Sequence, residues 1–273
     1  MNKYFVIGNP IEHSLSPLIH NYWFKKYKIN SIYEKTKIET SGLRDFVEEM
    51  RNNNSIKGVN VTVPFKSKII SFLDELSPIS KETFSVNTII KENKKLIGYN
   101  TDATAFQKTL EENNLWLNSS TLIIGAGGVT SSIIWGIRQL NLKDKIYIIN
   151  RTKEKAEDLV SRLVPGLIGS GIEVLNWGEI PGVSLVINTT SLGLKQNDNL
   201  QLDFKKYQNK KECIFYDLIY NPKETNFLSN AKKRGNHIIN GKMMFLIQAK
   251  QAFNLWTNID PEIDAEILKI VNL

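Results

Sequence analysis

Hydrophobic positions along this chain fall in short blocks whose spacing switches between the period of a strand, roughly 2, and that of a helix, about 3.6. Lys3 to Gly8 is a short apolar run. Leu18, Ile19, Tyr22 and Trp23 then form a helical stripe behind Ser16 and Pro17, a natural N-cap and first helical position. Ile32 to Ile38 alternates as a strand, and Leu43, Phe46, Val47 and Met50 mark a helix after Ser41-Gly42. From Gly58 to Val63 the alternation puts Val59, Val61 and Val63 on one face and Asn60 and Thr62 on the other, with Pro64 ending the strand. Phe84–Ile90 and Lys95–Tyr99 predict a hairpin around Glu92-Asn93-Lys94. A helix opens at Asn100-Thr101-Asp102 and runs through Phe106 and Leu110.

In the second half, the apolar run Leu122-Ile123-Ile124 enters the turn Gly125-Ala126-Gly127-Gly128, and a helix follows from Val129 through Ile133, Ile134 and Ile137 to Leu140. Further strands are expected at Lys145–Asn150, Ser184–Asn188, Glu212–Asp217 and His237–Ile239, with a helix from Glu224 to Arg234. Two helices close the chain: Met243 to Trp256, then one with Asp260 as N-cap, Pro261 after it and Ile263, Ile267, Ile270 and Val271 as its apolar face. Strands alternating with helices predict an α/β fold. The glycine turn lies near the middle of 273 residues, which leaves room for a separate N-terminal domain.

Composition narrows the functional classes. A net charge of +7 permits nucleic-acid binding, yet the lysines are spread along the chain and form no basic arm, so no nucleic-acid partner is expected. The single cysteine, Cys213, lies in an apolar run and has no intrachain partner; with three scattered histidines, no metal site is expected. No stretch approaches about 18 consecutive apolar residues, and Met1-Asn2-Lys3-Tyr4 leads directly into a strand. The expectation is a cytoplasmic chain with no membrane partner.

Candidate chemistry gathers where strands end. Glycine permits the positive φ and close backbone approach of a tight turn, and the helix N-terminus beyond it suits a pyrophosphate, so Gly125–Val129 reads as the first βα unit of a dinucleotide fold. Thr130 stands where that fingerprint prefers Gly or Ala, which predicts looser helix–strand packing. At the end of the second strand, Asn150-Arg151-Thr152 carries no acid for ribose hydroxyls; Arg151, Thr152 and Lys155 instead offer donors to a 2′-phosphate, favouring NADP over NAD. A solvated basic helix start is the simpler account of the same residues. Ser14 and Ser16 either cap the first helix or grip a carboxylate. Lys66 alone reads as a surface lysine, and Asp102 alone as a favourable helix-start carboxylate.

Together these loops resemble the shikimate dehydrogenase family over nearly the whole chain. Gly8, Asn9, Pro10, His13, Ser14, Ser16, Pro17, His20 and Asn21 match its N-terminal GNPxxHSxSPxxHN pattern. Gly58, Asn60, Val61, Thr62, Pro64 and Lys66 match GxNVTxPxK, and Asn100-Thr101-Asp102 matches the NTD element. Tyr216, Asp217, Tyr220, Asn221, Pro222, Thr225, Gly241, Met244, Gln248, Ala249 and Trp256 match the C-terminal signature. Departures are Phe84-Ser85 in place of Gly-Ala, Ala105 in place of a frequent Gly, Thr130, and Met243 in place of a small residue.

The resemblance implies two α/β domains with the active-site cleft between them. Residues 1–101 plus 238–273 would form a substrate-binding domain with a mixed sheet, and 102–237 a Rossmann-like NADP-binding domain. It further implies reversible reduction of 3-dehydroshikimate to shikimate with NADP(H), in aromatic amino-acid and chorismate biosynthesis. Lys66 and Asp102 would be the catalytic pair; Ser14 and Ser16 would bind the substrate carboxylate; Asn60, Thr62, Asn87, Asp102, Tyr220 and Gln248 would hold ring hydroxyls or line the site. Gly125, Ala126, Gly127, Gly128, Val129, Asn150, Arg151, Thr152, Lys155, Thr189, Leu218 and Gly241 would contact the cofactor. The expected partner is the small-molecule substrate, with the chain a monomer or homodimer. The alternatives are a quinate/shikimate dehydrogenase, an amino-shikimate relative, or a non-catalytic NADP-binding regulator.

Overall fold

The computed structural model describes residues 1–113, 120–140, 145–163, 169–195 and 197–271. The chain divides into two compact units, Met1–Thr104 with Leu246–Leu273, and Ala105–Phe245.

In the first unit, β1 (Asn2–Gly8), α1 (Ser16–Lys26), β2 (Ser31–Lys37), α2 (Leu43–Asn52) and β3 (Ile56–Val61) are followed by β4 (Glu75–Leu76), α3 (Pro78–Thr83), β5 (Thr88–Glu92) and β6 (Lys95–Tyr99). The six strands lie in the order β2-β1-β3-β5-β6-β4. β1 runs parallel to β2 and β3, whereas β5 is antiparallel to both β3 and β6, so the sheet is mixed. Val59, Val61, Ile7, Phe65 and Ile89 are buried in one apolar cluster with Val47 and Met50 of α2. This is the inward face that the alternation of β3 predicts.

Four local expectations shift. The first helix begins at Ser16 with Leu15 in the cap position, because the hydroxyl that serves the entering backbone is that of Ser14, which accepts from Ser16 N–H at 3.4 Å. Strand β3 ends two residues early, leaving Val63 47% exposed. The hairpin's first strand starts at Thr88 because residues 78–83 form α3, and Phe84 closes that helix with a left-handed φ of 49°. The hairpin turn is Asn93-Lys94, both with positive φ, as a two-residue connection between twisted strands requires.

The second unit begins within α4 (Thr101–Glu112) and continues β7 (Thr121–Ile124), α5 (Thr130–Gln139), β8 (Ile146–Ile149), α6 (Lys153–Leu163), β9 (Ile172–Leu175), β10 (Leu185–Asn188), β11 (Ile214–Asp217), α7 (Asn226–Lys233) and β12 (His237–Asn240). Its strands are all parallel, in the order β12-β11-β10-β7-β8-β9. This is the doubly wound order, with its switch point between β7 and β10, where ligands bind beyond the strand ends. Leu122, Ile124, Ile149, Val186 and Phe215 anchor its core.

Residues 238–245, expected with the first domain, belong to this unit because β12 pairs with β11 along its length. The chain returns to the first unit within α8 (Lys242–Thr257), followed by α9 (Ala265–Ile270). The last helix is capped by Asp264 and not by Asp260: Asp264 Oδ1 accepts from Ile267 N–H at 2.9 Å, while Asp260 pairs with Lys250 at 2.9 Å.

Candidate active site

Lys66 and Asp102 come together in the first unit. Asn100 caps α4 by accepting from Ala103 N–H at 3.1 Å, which sets Asp102 in the first turn, where a carboxylate is favoured. Lys66 Nζ donates to Asp102 Oδ2 at 2.6 Å, and both residues are buried. The bland expectation of a solvated lysine and an isolated helix-start acid gives way to a buried ion pair. A pair withdrawn from water interacts in a medium that screens it less than bulk solvent does.

Beside it lies a buried polar layer. Asn87 Oδ1 accepts from Thr101 N–H at 2.8 Å, and Asn87 Nδ2 donates to Thr101 Oγ1 at 2.9 Å, tying the strand entering the hairpin to the first residue of α4. Asn60 Nδ2 donates to Asn87 O and to Thr88 Oγ1, each at 3.0 Å, and Asn60 Oδ1 accepts from Tyr33 Oη at 2.7 Å. Thr62 follows the end of β3, half-buried, and its methyl packs against Gly8. Ser14 and Ser16 stay adjacent at the entry to α1, and Gln248 lies half-buried on α8 of the same unit.

Behind this layer His20 is fully buried, stacked on Tyr33 at 4.3 Å and 8° and edge-on to Trp23 at 5.6 Å. Among the described residues neither imidazole nitrogen has a hydrogen-bond partner, and burial pushes the His20 pKa from 6.5 down to about 3. Trp256 closes the same aromatic box and donates Nε1–H to Ile89 O at 3.0 Å. The Tyr33 contribution has no motif of its own; only the alternation of β2 points it inward.

In the second unit, Gly125 sits at φ +111°, which an L side chain rarely adopts, and its N–H donates to Ile149 O at 2.8 Å. Among the described residues nothing lies within 4 Å of a Cβ built at Gly127, so the turn is open there to close approach of a ligand. Val129 occupies the cap position of α5, whose N-terminus lies at the switch point. These features fit a dinucleotide pyrophosphate. Thr130 does not loosen the packing as expected: it is fully buried, and its Oγ1 lies 3.2 Å from Gly125 O and 3.0 Å from Thr189 Oγ1. Thr189 Oγ1 donates in turn to Ile124 O at 2.9 Å, so two hydroxyls brace the glycine turn from beneath.

After β8, Asn150 Nδ2 donates to Thr152 O at 2.7 Å, shaping the turn on which Arg151 is exposed, with Lys155 exposed on the first turn of α6. Gly241 packs so closely on the turn after β11 that a Cβ there would overlap Leu218 O. Tyr220 stacks on Phe245 at 4.0 Å and 13° within the same unit. The preceding Asp217 is buried and accepts from Thr225 Oγ1 at 2.6 Å, Asn188 Nδ2 at 3.1 Å and Ile219 N–H at 3.1 Å; burial nonetheless pushes its pKa up to about 6. Burial also pushes the Cys213 thiol up to about 12, the condition of an inert core thiol.

A doubly wound parallel sheet with an open glycine turn, together with a second α/β unit holding a buried lysine–carboxylate pair, defines a dinucleotide-dependent oxidoreductase. The family model for the shikimate dehydrogenase substrate binding domain matches residues 6–89. The NADP(+)-dependent shikimate dehydrogenase of Pelagibacter ubique is 48% identical over 100% of both chains. The crystal structure of shikimate dehydrogenase from Aquifex aeolicus superposes with a TM-score of 0.85 at 33% identity, covering 100% of this chain and 96% of that one. The shikimate 5-dehydrogenase of Thermus thermophilus, solved in complex with NADP(H) and shikimate, gives a TM-score of 0.84 at 27% identity, covering 100% and 99%. The chain belongs to the shikimate dehydrogenase family. Among the described residues no helix is long and apolar enough to cross a membrane.

Proposed function

We propose that this protein reversibly reduces 3-dehydroshikimate to shikimate with NADPH, a step of aromatic amino-acid biosynthesis. The observation that carries the reading is the buried Lys66–Asp102 pair, 2.6 Å apart at the start of α4. Reducing a ketone places negative charge on its oxygen, and a positioned ammonium both stabilises that charge and supplies the proton. Asp102 takes one Nζ hydrogen of Lys66, which aims the others. In reduction Lys66 gives a proton to the carbonyl oxygen and regains one from solvent; in oxidation it takes the hydroxyl proton. A bound nicotinamide supplies or accepts the hydride.

In this reading the first unit is the substrate domain. Ser14 and Ser16 hold the substrate carboxylate, and Asn60, Thr62, Asn87, Asp102 and Gln248, with Tyr220 of the second unit, hold ring hydroxyls or line the site. The second unit is the NADP domain: Gly125, Ala126, Gly127, Gly128, Val129 and Thr189 surround the pyrophosphate, Asn150, Arg151, Thr152 and Lys155 take the 2′-phosphate, and Leu218 and Gly241 lie along the nicotinamide end. The turn Asn150-Arg151-Thr152, which carries no acid, and the exposed Arg151 support NADP over NAD. The enzyme acts in the cytoplasm as a monomer or homodimer.

Lys66→Ala tests the reading: kcat should fall by roughly 10²–10⁴-fold with NADP⁺ affinity nearly unchanged. Turnover close to that of the wild type would remove Lys66 from the chemistry.

A further inference from the structure

We infer that Tyr33 is a positioning residue for substrate binding, acting through Asn60 and Thr88 on the amide of Asn87. The inference rests on the proposed reading of the site and adds to it a residue that belongs to none of the motifs.

The hydrogen bonds give the line a direction. Tyr33 Oη donates to Asn60 Oδ1, Asn60 Nδ2 donates to Thr88 Oγ1, and Thr88 Oγ1 donates to Asn87 Oδ1 at 3.2 Å. Both Nδ2 hydrogens of Asn60 are taken, by Asn87 O and Thr88 Oγ1, so Asn60 has no donor left for a ligand. Asn87 differs. Its Oδ1 accepts from Thr88 and Thr101, but among the described residues Nδ2 spends a single hydrogen, on Thr101 Oγ1, which leaves the second for a ring hydroxyl. Asn87 is therefore the amide that can bind, and Asn60 the one that holds it in place.

Tyr33 is itself held on two sides by the end of the N-terminal motif. His20 stacks on its ring, and Asn21 clamps its backbone with both amide atoms, donating to Tyr33 O and accepting from Tyr33 N–H, each at 2.8 Å. Removing the Tyr33 hydroxyl leaves Asn60 Oδ1 buried without that donor. Flipping the Asn60 amide would set its oxygen against the Asn87 carbonyl and call on the Thr88 hydroxyl as donor, drawing that hydrogen away from Asn87 Oδ1, so Asn60 regains a donor only by loosening the hold on Asn87.

The test is initial-rate kinetics with shikimate and NADP⁺ on the full chain as wild type, Tyr33→Phe, Asn87→Ala and the double variant, with unfolding temperatures alongside. Tyr33→Phe should raise KM for shikimate about 5- to 20-fold, leave KM for NADP⁺ unchanged and hold kcat within about threefold. In the Asn87→Ala background it should add less than about twofold. A lowered unfolding temperature with KM for shikimate unchanged would overturn the inference, as would effects of the two substitutions that simply multiply. A wild type that turns over shikimate while Tyr33→Phe matches it refutes this inference alone; a wild type without turnover refutes the reading beneath it.

Discussion

Replacing His20 by Phe should change how the stability of the protein depends on pH. His20 is wholly buried among Tyr33, Trp23, Phe253 and Trp256, and burial lowers its pKa from 6.5 to about 3. Above the unfolded value both states hold a neutral imidazole, and the group contributes nothing to the pH dependence. As pH falls through 6.5 the unfolded chain takes up a proton that the native chain refuses, so stability is lost at about 1.4 kcal/mol per pH unit until the native imidazole is protonated near pH 3. Between about pH 7 and about pH 5 the loss is roughly 2 kcal/mol. Asp217 works in the opposite sense: its native value is raised from 3.8 to about 6, so the native state protonates first and gains stability as pH falls between the two values. The difference between wild type and His20→Phe isolates the imidazole. In urea unfolding, the wild type should lose roughly 2 kcal/mol more than the variant over that interval. The imidazole signal absent from the variant's NMR spectrum should also stay fixed in the wild type through the same range. A His20 signal titrating near 6.5, or parallel stability losses in the two proteins, would refute the burial argument.

Two further substitutions test separate parts of the account. Arg151→Ala should weaken NADP⁺ binding about 10- to 100-fold with a much smaller effect on NAD⁺, by isothermal titration; equal losses would assign Arg151 a structural role. Phe84→Gly should stabilise the protein by roughly 0.5–1 kcal/mol in urea unfolding, relief of left-handed strain outweighing the added chain entropy. That ring is 44% exposed and gives up little burial, so an unchanged or lower midpoint would show that its packing matters more than its φ of 49°.

Much of the second unit's layout was legible because its central strands β7, β10 and β11 are buried throughout and read as continuous apolar runs bounded by glycine or polar turns, whereas the half-exposed edge strand β9 has no such run and was not predicted. The glycine turn, β10, β11 and α7 all stand close to where the pattern put them. What the pattern missed depended on particular side-chain bonds. The sequence placed the cap of the last helix at Asp260, whereas Asp264 takes it, held there by Tyr22 and Lys26, far away in sequence, which both donate to Asp264 Oδ2. The six-residue α3 is too short to show a period, and it turned an expected strand residue, Phe84, into a helix cap. The motif positions of Lys66 and Asp102 were visible, but their pairing at 2.6 Å depends on β3, the loop after it and α4 meeting, which no local spacing encodes. Likewise Thr130 breaks the glycine fingerprint in sequence, yet in space its hydroxyl reinforces the turn through Thr189.

The most direct test of the central claim is the initial rate of nicotinamide reduction by the purified protein, with shikimate or quinate as substrate and NADP⁺ or NAD⁺ as cofactor. The account predicts fast turnover with shikimate and NADP⁺ and far slower rates in the other combinations. Equal rates with NAD⁺ would contradict the role given to Arg151, equal rates with quinate would move the chain to the broader quinate/shikimate class, and no turnover despite tight NADP⁺ binding would contradict the account as a whole.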